Sequence, residues 1–285
     1  MAAGPYGALL DAVRGVRWPA RRPVPGGVPG AHQARSRGIA PEFAEYRPYR
    51  QGDDPRRIDW KLLARSDKAF IRLAPDHATL GTTFIVDASA SMAFAGKWVL
   101  AKRLVVALAA VAHASADPVG LVIAGPTRVG RVPPRARGGV IAEIARTLDA
   151  VSPGESQPLA ALVHGSAARC VVVTDALCDL DPLRVALVRH RARGGEAHLL
   201  HVVAREELEP WAEPRLVVDP EDERIERPLV PATVHEYRAR FDAWRAEVAT
   251  RMRREGLAYQ EVCDDAAVDA VVRRVVSPVG VEDGR

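Results

Sequence analysis

Residues 81–92 read GTTFIVDASASM, a β-branched and aromatic run that stops at an aspartate followed by serines at alternate positions. Thr83, Phe84, Ile85 and Val86 have the composition of a short buried strand. If the backbone stays extended beyond it, Asp87, Ser89 and Ser91 point to one side, because extended chain alternates its faces with period two. Three oxygen-bearing side chains then converge just past a strand end.

The same grammar repeats downstream. GKWVLAKRLVVALAAVAHASA (96–116) reads as a helix apolar around most of its circumference, PVGLVIAG (118–125) as a strand, and GGVIAEIARTLDAV (138–151) as a helix. ARCVVVTD (168–175) is a strand, DPLRVALVRHRARGG (181–195) a helix closed by glycine, and EAHLLHVV (196–203) a strand. Apolar strands alternating with helices specify an α/β fold, a mainly parallel sheet with helices on both faces. Outward from this core, residues 1–78 form an N-terminal segment in which RRPVPGGVPG argues for irregular, extended chain and KAFIRLA for a strand. Residues 79–205 are the core. Residues 206–285 form an extension with one long helix, whose Tyr237, Phe241, Trp244 and Val248 make an apolar stripe, then a strand and helix that return to the sheet.

Composition narrows the function classes. With 48% hydrophobic and 27% charged residues in 285, the chain is long enough and apolar enough for a substantial core. Three cysteines at irregular spacing support neither a disulfide framework nor a thiolate zinc site, and they read as small core residues of a reducing compartment. No HExxH pairing occurs, and His198 and His201 on one strand should face opposite sides. The richest apolar stretch is too short for a membrane span and the N-terminus lacks a signal-peptide core, so a cytoplasmic location is expected. Residues 1–75 hold 14 Lys or Arg against 7 Asp or Glu, a basic bias without any recognisable nucleic-acid module.

At the carboxyl ends of parallel strands, Asp87, Ser89 and Ser91 would meet Asp175 of VVVTD and Ser156 of the intervening SPGESQPLAAL. Such an all-oxygen set suits a hard cation, Mg2+ or Mn2+. Here the sequence resembles the von Willebrand factor A domain, whose metal-ion-dependent adhesion site joins a D-x-S-x-S loop, a later Thr loop and an Asp after a further strand. Asp87, Ser89 and Ser91 match the first element and Asp175 the last. GESQ departs from the middle one, keeping a hydroxyl at Ser156 but placing Gln157 where an acid is common.

Upstream, RSRGIAPEFAEYRPYRQGDDPRRIDWKLLAR resembles the signature of the bacterial family called domain of unknown function 58. Arg47, Tyr49, Gly52, Asp53, Asp54, Arg56, Asp59 and Trp60 carry that signature. From the residues alone, Ile58 and Trp60 read as buried anchors, Gly52 as a turn and the charged residues as a local network, with a docking surface as the alternative. The resemblance implies association with a MoxR-type AAA+ ATPase rather than catalysis. The chain lacks a P-loop, since AFAGKW has Gly-Lys without the following Ser or Thr, and it lacks G-x-S-x-G. A non-catalytic, metal-dependent protein-interaction module is the expected function, ahead of a magnesium-dependent hydrolase and of a nucleic-acid binder.

Overall fold

The computed structural model describes residues 4–20, 29–33, 45–49, 58, 60–66, 68–73, 77–125, 130–163, 167–211, 215–219 and 224–277. The N-terminal part contributes α1 (Gly7–Ala12), β1 (Pro29–Gln33), β2 (Glu45–Pro48), α2 (Trp60–Ser66), β3 (Phe70–Leu73) and β4 (His77–Ala78). The core follows as β5 (Thr82–Asp87), α3 (Lys97–Ala114), β6 (Val119–Ala124), β7 (Arg131–Arg135), α4 (Val140–Asp149), α5 (Leu159–Val163), β8 (Arg169–Thr174), α6 (Leu180–Ala192) and β9 (Glu196–Val203). Beyond it lie α7 (Arg205–Leu208), β10 (Arg215–Val218), β11 (Glu226–Leu229), α8 (Pro231–Arg254), β12 (Ala258–Cys263) and α9 (Val268–Val276).

Six strands form one sheet in the order β12-β9-β8-β5-β6-β7, parallel throughout except for β7. This is the mainly parallel α/β sheet that the alternating pattern called for. Every residue of β5, β6, β8 and β9 is buried, the signature of strands covered on both faces. One face packs on α3, α4, α9 and α1 through Phe84, Val86, Leu121, Val171 and Leu200. The other packs on α5, α6 and the C-terminal half of α8 through Ile85, Val122, Val172 and Leu199. As its alternation requires, β9 sends His198 to the first face, against Trp18, and His201 to the second, against Trp244.

Two elements depart from the sequence reading. β7 carries RVPPR, and its prolines hid it, yet an edge strand that leaves one row of donors unpaired accommodates them. Gly120 opposite makes room, since a Cβ there would sit 2.7 Å from the backbone of β7. Ahead of RRPVPGGVPG the sequence reading placed no element, but α1 packs there on α3 and α9, and Trp18 is wholly buried. Along α8 the stripe is used unevenly: Val248 is buried, whereas Tyr237, Phe241 and Trp244 stack on one another half-exposed. Of the cysteines, only Cys170 is buried as expected; Cys178 is exposed because it lies in a strand-end loop. Among the described residues no helix is long and apolar enough to cross a membrane.

The buried polar groups make stability pH-dependent. Burial alone would push the Glu196 carboxyl up, but the neighbouring His198, whose Nε2 lies 3.7 Å away, and the Arg169 guanidinium outweigh it and hold the pKa down at about 2, against an ordinary 4.5. Burial holds His201 down at about 4, against 6.5. In both cases the unfolded chain binds more protons, so stability is present at neutral pH and is lost as pH falls, from 6.5 toward 4 for His201 and from 4.5 toward 2 for Glu196. Each amounts to about 3 kcal/mol. Asp87, raised by burial, acts in the opposite sense, so the informative measurement is a comparison. Between pH 7 and 4 the wild type should lose about 3 kcal/mol more than His201→Gln in denaturant unfolding, and parallel pH profiles would refute the assignment.

Candidate metal centre

Strand β5 ends at Asp87, and the backbone continues extended to Ser89 before a 3-10 turn over Ala90–Ala93. Asp87 is 2% exposed, and its Oδ1 accepts from the Ser89 N–H at 2.9 Å, a turn that folds the loop over the carboxylate. The Ser89 and Ser91 hydroxyls lie 3.1 Å apart. The alternation expected from the sequence therefore reaches only Ser89, and it is the 3-10 turn that brings the Ser91 hydroxyl beside it, next to a buried acid.

The middle loop is drawn in by backbone pairing. Ser89 forms an isolated parallel bridge with Gly154, whose N–H donates to the Ala88 carbonyl at 2.8 Å. That places Ser156, whose hydroxyl lies 3.3 Å from Asp87 Oδ1 and donates to the Ala124 carbonyl at 2.9 Å. Thr174, at the end of β8, donates to Asp87 Oδ2 at 2.7 Å. Sequence reasoning passed over Thr174 although it adjoins Asp175 in VVVTD. As the last strand residue it faces opposite to Asp175, and this alternation was the available signal.

Asp175 is turned elsewhere. Its Oδ1 accepts from the Leu177 N–H at 3.2 Å, around Ala176 at φ +60°, and its Oδ2 meets the Lys97 ammonium at 2.8 Å. Lys97 is 1% exposed and also contacts Glu207 at 2.9 Å. Of the five expected ligands, four therefore cluster, while Asp175 pairs with an internal lysine instead. Lys97 stands in the AFAGKW stretch considered above only as a failed P-loop, and no local sequence pattern pairs it with residues 78 and 110 positions away.

The donor set accommodates a hard cation. Burial, foremost, raises the Asp87 pKa, partly offset by the hydrogen bonds from Thr174 and Ser89 and reinforced by the nearby Asp175 charge. Among the described residues no cationic side chain forms an ion pair with Asp87, and burial of such an unpaired carboxylate is costly while it is charged. No three His, Cys, Asp or Glu side chains gather among the described residues, so a cation here would lean on hydroxyls.

The N-terminal signature falls mostly elsewhere. Gly52, Asp53, Asp54, Arg56 and Asp59 lie outside the described residues. Arg47 sits on β2 opposite Ile71 of β3, and the Tyr49 N–H donates to the Ala69 carbonyl at 2.8 Å. Trp60 was read as a buried anchor, but it is 62% exposed. It opens the short α2, none of whose residues joins a core cluster among the described residues. Trp60→Ala should accordingly leave the unfolding free energy within about 0.5 kcal/mol of wild type, as surface substitutions do. A loss several times larger in urea unfolding would return the indole to the core.

The sequence profile described as Protein of unknown function DUF58 matches residues 45–251. The chain belongs to that family. Uncharacterized proteins of Mycobacterium tuberculosis and Mycobacterium bovis are each 28% identical to this DUF58 chain over 207 residues, 64% of this chain and 62% of theirs, so the chain spans under two thirds of these relatives. Among solved structures, the conserved hypothetical protein BatB of Bacteroides thetaiotaomicron gives a TM-score of 0.45 at 17% identity, over 69% of this chain and 97% of that one. An aerotolerance-related membrane protein of Bacteroides fragilis gives 0.44 at 17% identity, over 69% and 96%. Likenesses so distant carry no argument about this DUF58 site.

Proposed function

We propose that this DUF58 protein is a metal-dependent protein-interaction module that performs no chemistry itself and acts in the cytoplasm as an adaptor for a MoxR-type AAA+ ATPase. The observation that supports this most is the pair of serine hydroxyls beside a buried carboxylate that lacks a cationic partner among the described residues. Ser89, Ser91 and Ser156 would hold Mg2+ or Mn2+ directly, with Asp87 acting mainly through water and Asp175, expected from the sequence to do the same, engaged by Lys97 instead. A divalent ion held largely by neutral oxygens keeps most of its charge, which is what accepting a carboxylate from another protein requires. Ser89, Ser91 and Ser156 position the contact, and Asp87 fixes the loop through the Ser89 N–H.

Among the described residues no group around the site supplies the activated nucleophile a hydrolase needs. Cys178 is exposed as a residue, but desolvation of its sulfur by the surrounding loops, foremost, together with the Asp87 and Asp175 charges, pushes the thiol up to about 12, and His201 is turned to Tyr259. Co-purification with the ATPase in magnesium and in chelator tests the reading. Association should disappear with chelator and with Ser89→Ala, whose fold should persist because the residue lies in a loop. Chelator-resistant association would reject the ion contact, and magnesium-dependent phosphoester turnover abolished by Asp87→Ala would make the protein a hydrolase.

A further inference from the structure

The lysine inside the site has a consequence that the ion contact alone does not contain. Lys97 opens α3, and its side chain runs inward rather than along the surface, ending between Asp175 Oδ2 at 2.8 Å and Glu207 Oε1 at 2.9 Å with Phe94 under the ammonium at 5.6 Å. Burying an ammonium is expensive unless it is paired, and here two acids pair it. Glu207 is itself held, its Oε2 accepting from the Ala204 N–H at 2.8 Å. The loop entering α3 is fixed as well, because the Gly96 N–H donates to Asp264 Oδ2 at 3.0 Å and Asp264 Oδ1 accepts from the Arg205 N–H at 2.9 Å. Lys97 is thus held in place from three loops at the strand ends.

We infer that Lys97 is the fixed counter-cation of Asp175, keeping that carboxylate away from a divalent ion at Asp87, Ser89 and Ser91 and so leaving the ion charge to be satisfied by an acidic group from outside. The inference rests on the metal reading above and adds the residue that sets the ion's remaining charge. With Asp175 bound to Lys97, the ion faces one unneutralised carboxylate, Asp87. Were Asp175 free, the ion would face two, would be held more tightly, and would have little attraction left for a partner's carboxylate. Lys97 is a positioning residue: it trades affinity for the metal against affinity for the acid that the metal recruits.

Calorimetric titration with magnesium alone separates this from a merely structural role, because damage to the site weakens binding whereas release of Asp175 strengthens it. Lys97→Gln should tighten magnesium roughly tenfold, as removal of a unit positive charge a few ångströms away does. Lys97→Gln combined with Asp175→Asn should return the affinity to near wild type, and Asp175→Asn alone should change it little. Since Lys97→Gln leaves two buried acids facing each other, Lys97→Gln with Glu207→Gln is titrated alongside and read in the same way if the single variant unfolds. Unchanged or weaker magnesium binding in a folded Lys97 variant would overturn the inference, as would an Asp175→Asn loss as severe as that of Asp87→Asn. Heat from neither wild type nor variant would overturn the metal reading and this inference together. Heat from the variant alone would support the opposition of Lys97 to the ion while rejecting a metal contact in the wild-type protein.

Discussion

Replacing Trp18 with alanine should lower the unfolding free energy by about 3–5 kcal/mol, the range for large aromatic truncations in cores. The indole is 0% exposed and belongs to the cluster that contains Phe84, Val86 and Leu200. It stands edge-on to His198, with ring centroids 5.2 Å apart, and the Arg169 guanidinium lies 4.2 Å from its ring centre. Arg169 is fully buried and reaches both Glu196, at 2.9 Å, and the Pro19 carbonyl, at 3.0 Å. Truncation therefore opens a cavity, removes a cation–π contact from a desolvated cation, and loosens the strap that closes the sheet at the strand ends opposite Asp87. Domains of this kind have about 5–15 kcal/mol in total, so the variant should unfold at much lower urea by far-UV circular dichroism. A loss below about 1 kcal/mol would mean that the N-terminal segment is not part of the core.

That expectation falls on Trp18 rather than Trp60, and the exchange shows where sequence patterns carry information. Strands β5, β6, β8 and β9 were legible because burial on both faces forces continuous apolar runs, and the intervening helices because glycines and prolines mark their ends. Asp87 and Ser89 were legible because their grouping depends on extended backbone, whereas Ser91 joins them through the 3-10 turn over Ala90–Ala93, which alternation does not encode. Trp18 was not, since its burial depends on Arg169 and His198, far along the chain, and a tryptophan among arginines and prolines looks the same in either setting. Trp60 looked like an anchor because it ends an Ile-Asp-Trp run, yet burial is decided by what packs opposite, which a run of three residues does not encode. Lys97 was hidden for the same reason. Its partners come from β8 and α7, and only the closing of the parallel sheet brings those loops together.

The second large effect belongs to Asp87→Asn, which should abolish stabilisation by magnesium while leaving the metal-free fold at least as stable as wild type. The asparagine keeps an acceptor for the Ser89 N–H, and the Thr174 hydroxyl, which donates to Asp87 Oδ2, turns to accept from the new amide. What disappears is a buried negative charge without an ion-pair partner among the described residues, and burial disfavours that charge, as the raised pKa reflects. Removing it relieves the metal-free protein. The same charge is what a divalent ion would gain, so its removal costs the ion its principal electrostatic attraction. At magnesium concentrations a hundredfold above the dissociation constant, linkage gives the wild type about 2.7 kcal/mol of added stability, and the variant should show none. Thermal melts of both proteins, in magnesium and in chelator, read the two effects separately. A variant that still responds to magnesium would move the ion away from Asp87, and one destabilised in chelator would make Asp87 a structural hydrogen-bonding residue instead of an acid kept buried for a cation.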